Sequence, residues 1–285
     1  MERFGTVAIA GVGLIGGSIG LALRRKGLAD RVIGLGRDAS RLDEAKGLGA
    51  IDCGTTDPAR AVAEAEVIVV CTPTDRIATD IKSLAAVAPE HVLITDAGSA
   101  KRRIVEAVEG DIRAREVFVG AHPLAGSERR GAVAARADLL DGRVCALTPT
   151  GRTPADRIEA ARRFWTGLGC RIVVLDPDDH DAALARTSHL PHVVAAALAS
   201  SVPEHCLELA AGAYRDGTRV VASDADLWVA IFRENAVHLL ESVAEFEAAL
   251  GRFRDAIASD DPETLRSLWV TARERRRSFE DGPPA

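Results

Sequence analysis

Lysine is almost missing from this chain. It occurs only as Lys26, Lys46, Lys82 and Lys101, leaving 32 of the 36 basic residues as arginine and none of residues 102–285 as lysine. Chemistry that needs an amine in the second half of the chain is thereby excluded. The five cysteines (Cys53, Cys71, Cys145, Cys170 and Cys206) include no Cys-x-x-Cys pair. That argues against a zinc ribbon or a disulfide frame and suits reduced thiols in the cytoplasm. No apolar stretch reaches membrane-spanning length, and the alanine-rich run at 193–199 is too short. The chain enters an apolar segment almost at once, so no signal peptide is expected. A net charge of −6 weighs against nucleic acid as a partner. What remains is an ordinary globular composition, 47% hydrophobic and 27% charged, over 285 residues, enough for two domains with buried cores.

The most specific local signal is Gly11-Val12-Gly13-Leu14-Ile15-Gly16, between the apolar run 7–10 and a helical pattern carrying Ile19 and Leu23. Gly-x-Gly-x-x-Gly in that strand-to-helix setting is a dinucleotide fingerprint. Gly11 permits the tight turn, Gly13 lets a pyrophosphate approach the backbone, and Gly16 allows close helix–strand packing. The free N–H groups and positive dipole end of the helix then face the phosphates.

The second strand should reveal which dinucleotide binds. A carboxylate about twenty residues past the glycines accepts the ribose 2′-OH of NAD. Here the run 31–35 ends in Gly36 and Arg37. Glycine leaves room for a 2′-phosphate and an arginine fork can bind it, so the local chemistry favours NADP. Asp38 lies close enough to serve a ribose if the loop bends back, and arginine is the default cation of this chain. NAD therefore stays open.

Continuous apolar runs at 67–71, 92–96, 117–120, 144–147 and 171–175 read as strands buried on both faces, as in a parallel sheet covered by helices. After Asp176-Pro177 the texture becomes helical, with apolar spacings of mostly three and four through Ala230, Ile231, Leu239, Leu240, Val243 and Leu250. The expected architecture is an N-terminal Rossmann, doubly wound α/β domain over 1–176, followed by an all-α domain over 177–285. Residues 280–285 read as a frayed tail.

In open parallel sheets ligands bind beyond the carboxyl ends of the strands. Three such ends carry polar residues: Thr72-Pro73-Thr74, residues 96–101 with Ser99, and residues 121–128 with His122, Ser127 and Glu128. His122 is the natural general base, because imidazole titrates near neutrality. In the helical half, His189 and His192 stand at i and i+3. That spacing suits a metal, but no further ligands at sensible spacing stand out, so none is expected and substrate hydrogen bonding is the better reading. Arginine forks at Arg215 and Arg219 suit a carboxylate, with Arg215 read instead as solvated or structurally paired.

Taken together, the chain resembles the prephenate/arogenate dehydrogenase family of tyrosine biosynthesis over nearly its whole length. The likeness rests on the glycine loop, residues 95–101, Gly120-Ala121-His122-Pro123-Leu124-Ala125-Gly126-Ser127-Glu128, Ser188-His189-Leu190-Pro191-His192, and Arg215-Asp216-Gly217-Thr218-Arg219 through Trp228. The resemblance implies a cytoplasmic homodimer, its helical domain serving substrate binding and dimerisation. It implies oxidative decarboxylation of prephenate, or alternatively arogenate, with NADP or NAD. Carried over by motif, His122 takes the proton of the ring hydroxyl and Ser99 orients that hydroxyl or His122. Arg219 clamps the side-chain carboxylate. His189 and His192 lie near the substrate, with Ser127, Glu128 and Trp228 at the pocket edge. Gly11, Gly13, Leu14, Ile15, Gly16, Gly36, Arg37, Thr72 and Pro73 hold the dinucleotide. The length leaves no room for a fused mutase or an ACT-type regulatory domain, so any tyrosine inhibition is expected at the active site.

Two other protein classes share parts of this pattern. β-Hydroxyacid and 6-phosphogluconate-type dehydrogenases share this plan but use a lysine in the second half, which is absent here. A non-catalytic NAD(P) sensor would need the glycine loop but not Ser99, His122 and Arg219 together.

Overall fold

The computed structural model describes residues 3–127 and 129–280. The first half alternates strands and helices: β1 (Phe4–Ala10), α1 (Leu14–Arg25), β2 (Ala29–Leu35), α2 (Ala39–Gly47), β3 (Cys53–Thr55), α3 (Pro58–Val62), β4 (Ala65–Val70), α4 (Thr74–Ala85), β5 (Leu93–Asp96), α5 (Arg102–Glu109), α6 (Ile112–Val117) and β6 (Phe118–Pro123). Then come β7 (Val144–Thr148), α7 (Ala155–Gly167) and β8 (Arg171–Val174). The eight strands form one sheet in the order β3-β2-β1-β4-β5-β6-β7-β8.

Strand residues alternate between two cores because successive side chains leave a strand on opposite faces. Val7, Ile9, Val67 and Val69 join Phe164 and Trp165 of α7 in one core. Ala8, Ala10, Ile68 and Val70 join Ile77 and Ile81 of α4 in the other. Burial on both faces is why these strands read as unbroken apolar runs.

Two details depart from the expected parallel sheet. β7 pairs antiparallel to β6, with His122 opposite Ala146. A parallel return needs a long crossover, usually through a helix. The described residues between β6 and β7 hold only the 3₁₀ turn Ala132–Ala134, so the chain comes back beside β6 in the opposite sense. β3 was not foreseen, because three residues give no readable alternation.

From Pro177 onward the described chain is helical: α8 (Pro177–Leu184), a π turn (Ala185–His189), α9 (Leu190–Ser201), α10 (Gly212–Thr218), α11 (Ala225–Glu234), α12 (Ala236–Ala258) and α13 (Pro262–Glu280). By compactness the chain divides into two units, 1–236 and 237–285. The second carries most of α12 and all of α13. Val237, Leu240, Leu250, Ile257, Trp269 and Phe279 are exposed on them.

Candidate active site

The glycine loop has the geometry its sequence predicts. Gly11 sits at φ +91°, and a Cβ there would fall 2.7 Å from the Cys71 carbonyl oxygen. At Gly16 a Cβ would meet the Gly11 carbonyl oxygen at 2.2 Å, so only glycine lets α1 start against β1. Gly13 instead faces open space, with nothing within 4 Å of a Cβ. Gly13 is also the N-cap of α1 and provides no side-chain cap, so the first amides are left for a ligand. An open glycine at an uncapped helix N-terminus suits a pyrophosphate. The end of β2 lies alongside, since Ala10 pairs with Leu35 and the Gly11 amide donates to the Leu35 carbonyl at 2.9 Å. Gly36 is half-buried there and Arg37 is exposed.

A cleft of about 990 Å³ opens beyond the carboxyl ends of the strands. Gly13, Leu14, Ile15, Thr72 and Pro73 line it from the glycine-loop side. Ser99, His122 and Ser127 line it from the ends of β5 and β6, and His189, His192, Arg219 and Trp228 from the helical segments. Gly11, Gly16, Gly36 and Arg37 do not line it. Glu128 lies outside the described residues. Ser127 Oγ accepts the Arg129 amide at 3.2 Å, and Thr72 Oγ1 donates to Asp80 at 2.6 Å.

His122 stands on β6 and is only 8% exposed. Just before it, β5 and β6 are stitched together by a buried ion pair. Asp96 binds the Lys101 ammonium and accepts the Ala121 amide at 2.9 Å and the Gly98 amide at 2.8 Å. Lys101 also donates to the Ala121 carbonyl at 2.9 Å. With both charges so bonded, the pair is tolerable in a dry interior and fixes the backbone that carries His122.

The His122 ring heads a chain of three side chains. Its Nδ1 lies 2.9 Å from His180 Nε2, and His180 Nδ1 lies 2.8 Å from Asp181 Oδ1. The carboxylate can only accept, so His180 carries its proton on Nδ1 and offers a lone pair at Nε2. His122 must then donate from Nδ1, which leaves its Nε2 lone pair for the cleft. Asp181 is anchored in turn by the Lys101 and Arg102 amides, at 2.8 and 3.0 Å, at the N-terminus of α5. Burial alone would raise its carboxyl pKa. The bonds from His180 and the two amides outweigh this and hold it below the usual range. Burial, then the neighbouring His180, Lys101 and His189, keeps the His122 pKa well below that of free imidazole. His122 is therefore a neutral base at neutral pH.

His180 and Asp181 belong to none of the motifs read from the sequence. Among the described residues no group of three or more His, Cys, Asp or Glu side chains could hold a metal ion. Two features of the sequence foreshadow the chain: Asp176-Pro177 starts a helix directly after the last strand, and His180-Asp181 falls in its first turns. Asp176 does cap α8, accepting the Asp178 amide at 2.8 Å.

His189 closes the π turn, a distortion often found at functional sites. It is 1% exposed, and burial lowers its pKa to about 4. His192 stacks on Trp228 with centroids 3.4 Å apart and its Nδ1 2.9 Å from the Ser188 carbonyl. Burial lowers its pKa, with Arg219 adding to the effect. Arg219 opens a 3₁₀ turn and is exposed.

Comparison with known proteins places this geometry. A family model for the prephenate dehydrogenase nucleotide-binding domain matches residues 19–174, and one for the prephenate dehydrogenase dimerization domain matches 176–270. A cyclohexadienyl dehydrogenase of Zymomonas mobilis is 35% identical over 97% of this chain and 96% of its own length. The prephenate dehydrogenase of Bacillus subtilis is 32% identical over 98% of this chain and 76% of its own. Among solved structures, prephenate dehydrogenase from A. aeolicus in complex with hydroxyphenyl propionate and NAD+ superposes with a TM-score of 0.90 at 30% identity, covering 97% of this chain and 98% of that one. Synechocystis arogenate dehydrogenase superposes with a TM-score of 0.81 at 29% identity, covering 95% of this chain and 99% of that one. With two adjoining family models covering most of its length and relatives above 30% identity along nearly all of it, the chain belongs to the prephenate dehydrogenase family of NAD(P)-dependent oxidoreductases.

Proposed function

We propose that the chain oxidises and decarboxylates prephenate to 4-hydroxyphenylpyruvate and CO2, with NADP as the preferred cofactor. The observation that carries this reading is the neutral His122, its Nε2 lone pair kept for the cleft by the bonds to His180 and Asp181. His122 Nε2 takes the proton of the ring hydroxyl, and Ser99 on the adjoining loop orients that hydroxyl. A bound nicotinamide supplies the hydride acceptor. As hydride leaves the carbinol carbon, that carbon becomes a carbonyl. The bond to the ring carboxylate then breaks, CO2 leaves, and its electron pair aromatises the ring and ends on the former carbonyl oxygen. The proton held at His122 Nε2 is available to that phenolate, so the base is regenerated. The work of the protein is orientation and one proton transfer. Asp181 holds the imidazoles in the required tautomer and stabilises the cation that forms.

Arg219 is assigned to the substrate side-chain carboxylate. His192 is assigned near the substrate and Ser127 to the pocket edge with Trp228 nearby; by motif Glu128, outside the described residues, is assigned to the same edge. Gly11, Gly13, Leu14, Ile15, Gly16, Thr72 and Pro73 are assigned to the dinucleotide. NADP is favoured at the end of β2 because Asp38 is engaged elsewhere: its Oδ1 accepts the Ser40 amide at 2.9 Å and the Arg41 amide at 3.4 Å, capping α2. Arg37 is left exposed beside Gly36, where a 2′-phosphate would lie. Residues 1–176 form the cofactor domain in this reading and 177–285 the substrate and dimerisation domain. The exposed apolar residues of α12 and α13 suit a homodimer. No helix among the described residues is long and apolar enough to cross a membrane, and free cysteines suit the cytoplasm.

The experiment is absorbance at the reduced-nicotinamide band, with prephenate or arogenate crossed against NADP or NAD. Fastest reduction with prephenate and NADP is expected. Reduction only with arogenate would change the substrate and keep the chemistry. No reduction in any arm would overturn the catalytic reading.

A further inference from the structure

We infer that Asn235 is a positioning residue that fixes His189 as a hydrogen-bond donor toward substrate. The inference rests on the proposed function, because it names what His189 does at that site. Asn235 is the C-cap of α11, 46 residues from His189 in sequence, and is 3% exposed. Its side-chain Nδ2 lies 2.7 Å from the Asp181 carbonyl oxygen and 3.1 Å from His189 Nδ1. A carbonyl oxygen can only accept, so the atom between them is the amide nitrogen and not the amide oxygen. That nitrogen has two hydrogens and no usable lone pair. One hydrogen serves Asp181 and the other must serve His189 Nδ1, which therefore accepts.

A neutral imidazole that accepts at Nδ1 carries its proton on Nε2. Burial, the largest influence on His189, keeps the ring neutral near pH 7. The cleft that His189 lines is thus offered an N–H. His192, one turn on, is set the other way: its Nδ1 donates to the Ser188 carbonyl, which only accepts, so its lone pair is at Nε2. Two histidines three residues apart therefore present opposite faces, a donor at His189 and an acceptor at His192. A donor pairs with a carboxylate or carbonyl oxygen of the substrate, and reversing it would set two lone pairs against each other. Asn235 also reaches Asp181, so one buried amide steadies the residue behind the base and the residue in front of the substrate.

The test reads the tautomer directly. Protein carrying 15N-histidine would be examined by long-range 1H–15N correlation at neutral pH, with the His189 signals assigned by their loss in His189→Gln. Wild type should show Nε2 protonated and Nδ1 bare. In Asn235→Asp the new carboxylate accepts from Nδ1, so the pattern should reverse, with Nδ1 protonated and Nε2 bare. KM for prephenate should rise roughly 10-fold or more, with a smaller change in kcat, as expected when a donor to a charged group is lost. His189→Gln offers an amide N–H that no neighbour can retautomerise. In that background Asn235→Asp should add no comparable rise in KM. Wild-type His189 protonated at Nδ1 would overturn the inference, even if Asn235→Asp failed to fold. An equal rise in KM in both backgrounds would do the same, since it would make Asn235 merely structural. Absence of turnover in every substrate arm would sink the proposed function, while the His189 spectrum would still decide what Asn235 holds.

Discussion

The glycine-loop side of the cleft and its histidine side are built in opposite ways. On the first, one short stretch does nearly everything: Gly11 turns, Gly13 stays open and Gly16 packs, all within six residues and by backbone shape alone. On the second, Lys101, His122, Asp181, His189 and Asn235 come from five separate elements and work through side-chain hydrogen bonds. Backbone shape is a local property and leaves a local signature. A hydrogen-bond chain is a tertiary property, and its members are ordinary residues until the helices are laid against the sheet.

The sharpest way to break the comparison is at the head of the histidine chain. His122→Ala should lower kcat by roughly 100-fold or more, the usual scale for a general base. Near-normal turnover would remove His122 from that role. The wild-type pH profile adds a signed test. Protonation of His122 would remove the proposed base, and its pKa is held well below 6.5 by burial. kcat/KM should therefore hold steady as pH falls through the ordinary histidine range and drop only beneath it. A drop centred near 6.5 would contradict the buried, neutral ring.

The next effect lies one bond further back. Asp181→Asn keeps shape but can present a donor where His180 needs an acceptor, turning the tautomers of the chain around. A fall in kcat of roughly 10- to 100-fold is expected, with KM for substrate little changed, by analogy with a carboxylate that orients a catalytic histidine. Because Asp181 also accepts two amides at the start of α5, thermal unfolding should be followed beside activity. Lost stability with intact kcat would make Asp181 an α5 anchor and nothing more.

Legibility follows the same division. The doubly wound sheet was readable because its central strands, β1, β4, β5 and β6, are buried on both faces and their runs are bounded by turn residues. The antiparallel return of β7 was not, since a strand's direction depends on what lies between it and its neighbour, and residues 124–143 carry no clear helical period. Ser99, His122, His189, His192, Arg219 and Trp228 were readable as motif residues, and they do line one cleft. Their partners were not. His180 and Asp181 stand in no motif, yet they are 0% and 1% exposed because α8 packs beside α5. Asn235 carries no motif at all, and only the packing of α11 brings it to Asp181 and His189.

On the glycine side the expected effects are smaller for the fold and separable by position. A methyl at Gly16 collides with the Gly11 carbonyl, so Gly16→Ala should destabilise the folded chain as well as weaken dinucleotide binding. Gly13→Ala meets nothing within 4 Å and should leave unfolding free energy within about 0.5 kcal/mol of wild type. It should nevertheless weaken dinucleotide binding, because the methyl fills the open space assigned in the proposed function to the pyrophosphate. Thermal unfolding with and without added dinucleotide checks both. If Gly13→Ala binds as wild type does, the phosphates lie elsewhere.

The smallest effect tests the end of β2, where one side chain rather than backbone shape sets the outcome. Arg37 is exposed, so its attraction for a 2′-phosphate is partly screened, and a rise of only about 5-fold in KM for NADP is expected for Arg37→Ala. KM for NAD, which carries no such phosphate, should not move. The two cofactors must be compared in the same variant, since a general distortion of the loop would raise both values. Added salt should narrow the proposed preference for NADP, because screening weakens an exposed ion pair. If Arg37→Ala changes neither KM, Asp38 becomes the candidate ribose partner. It would then have to leave the Ser40 and Arg41 amides that it now caps, and Asp38→Ala would weaken NAD binding and loosen α2 together.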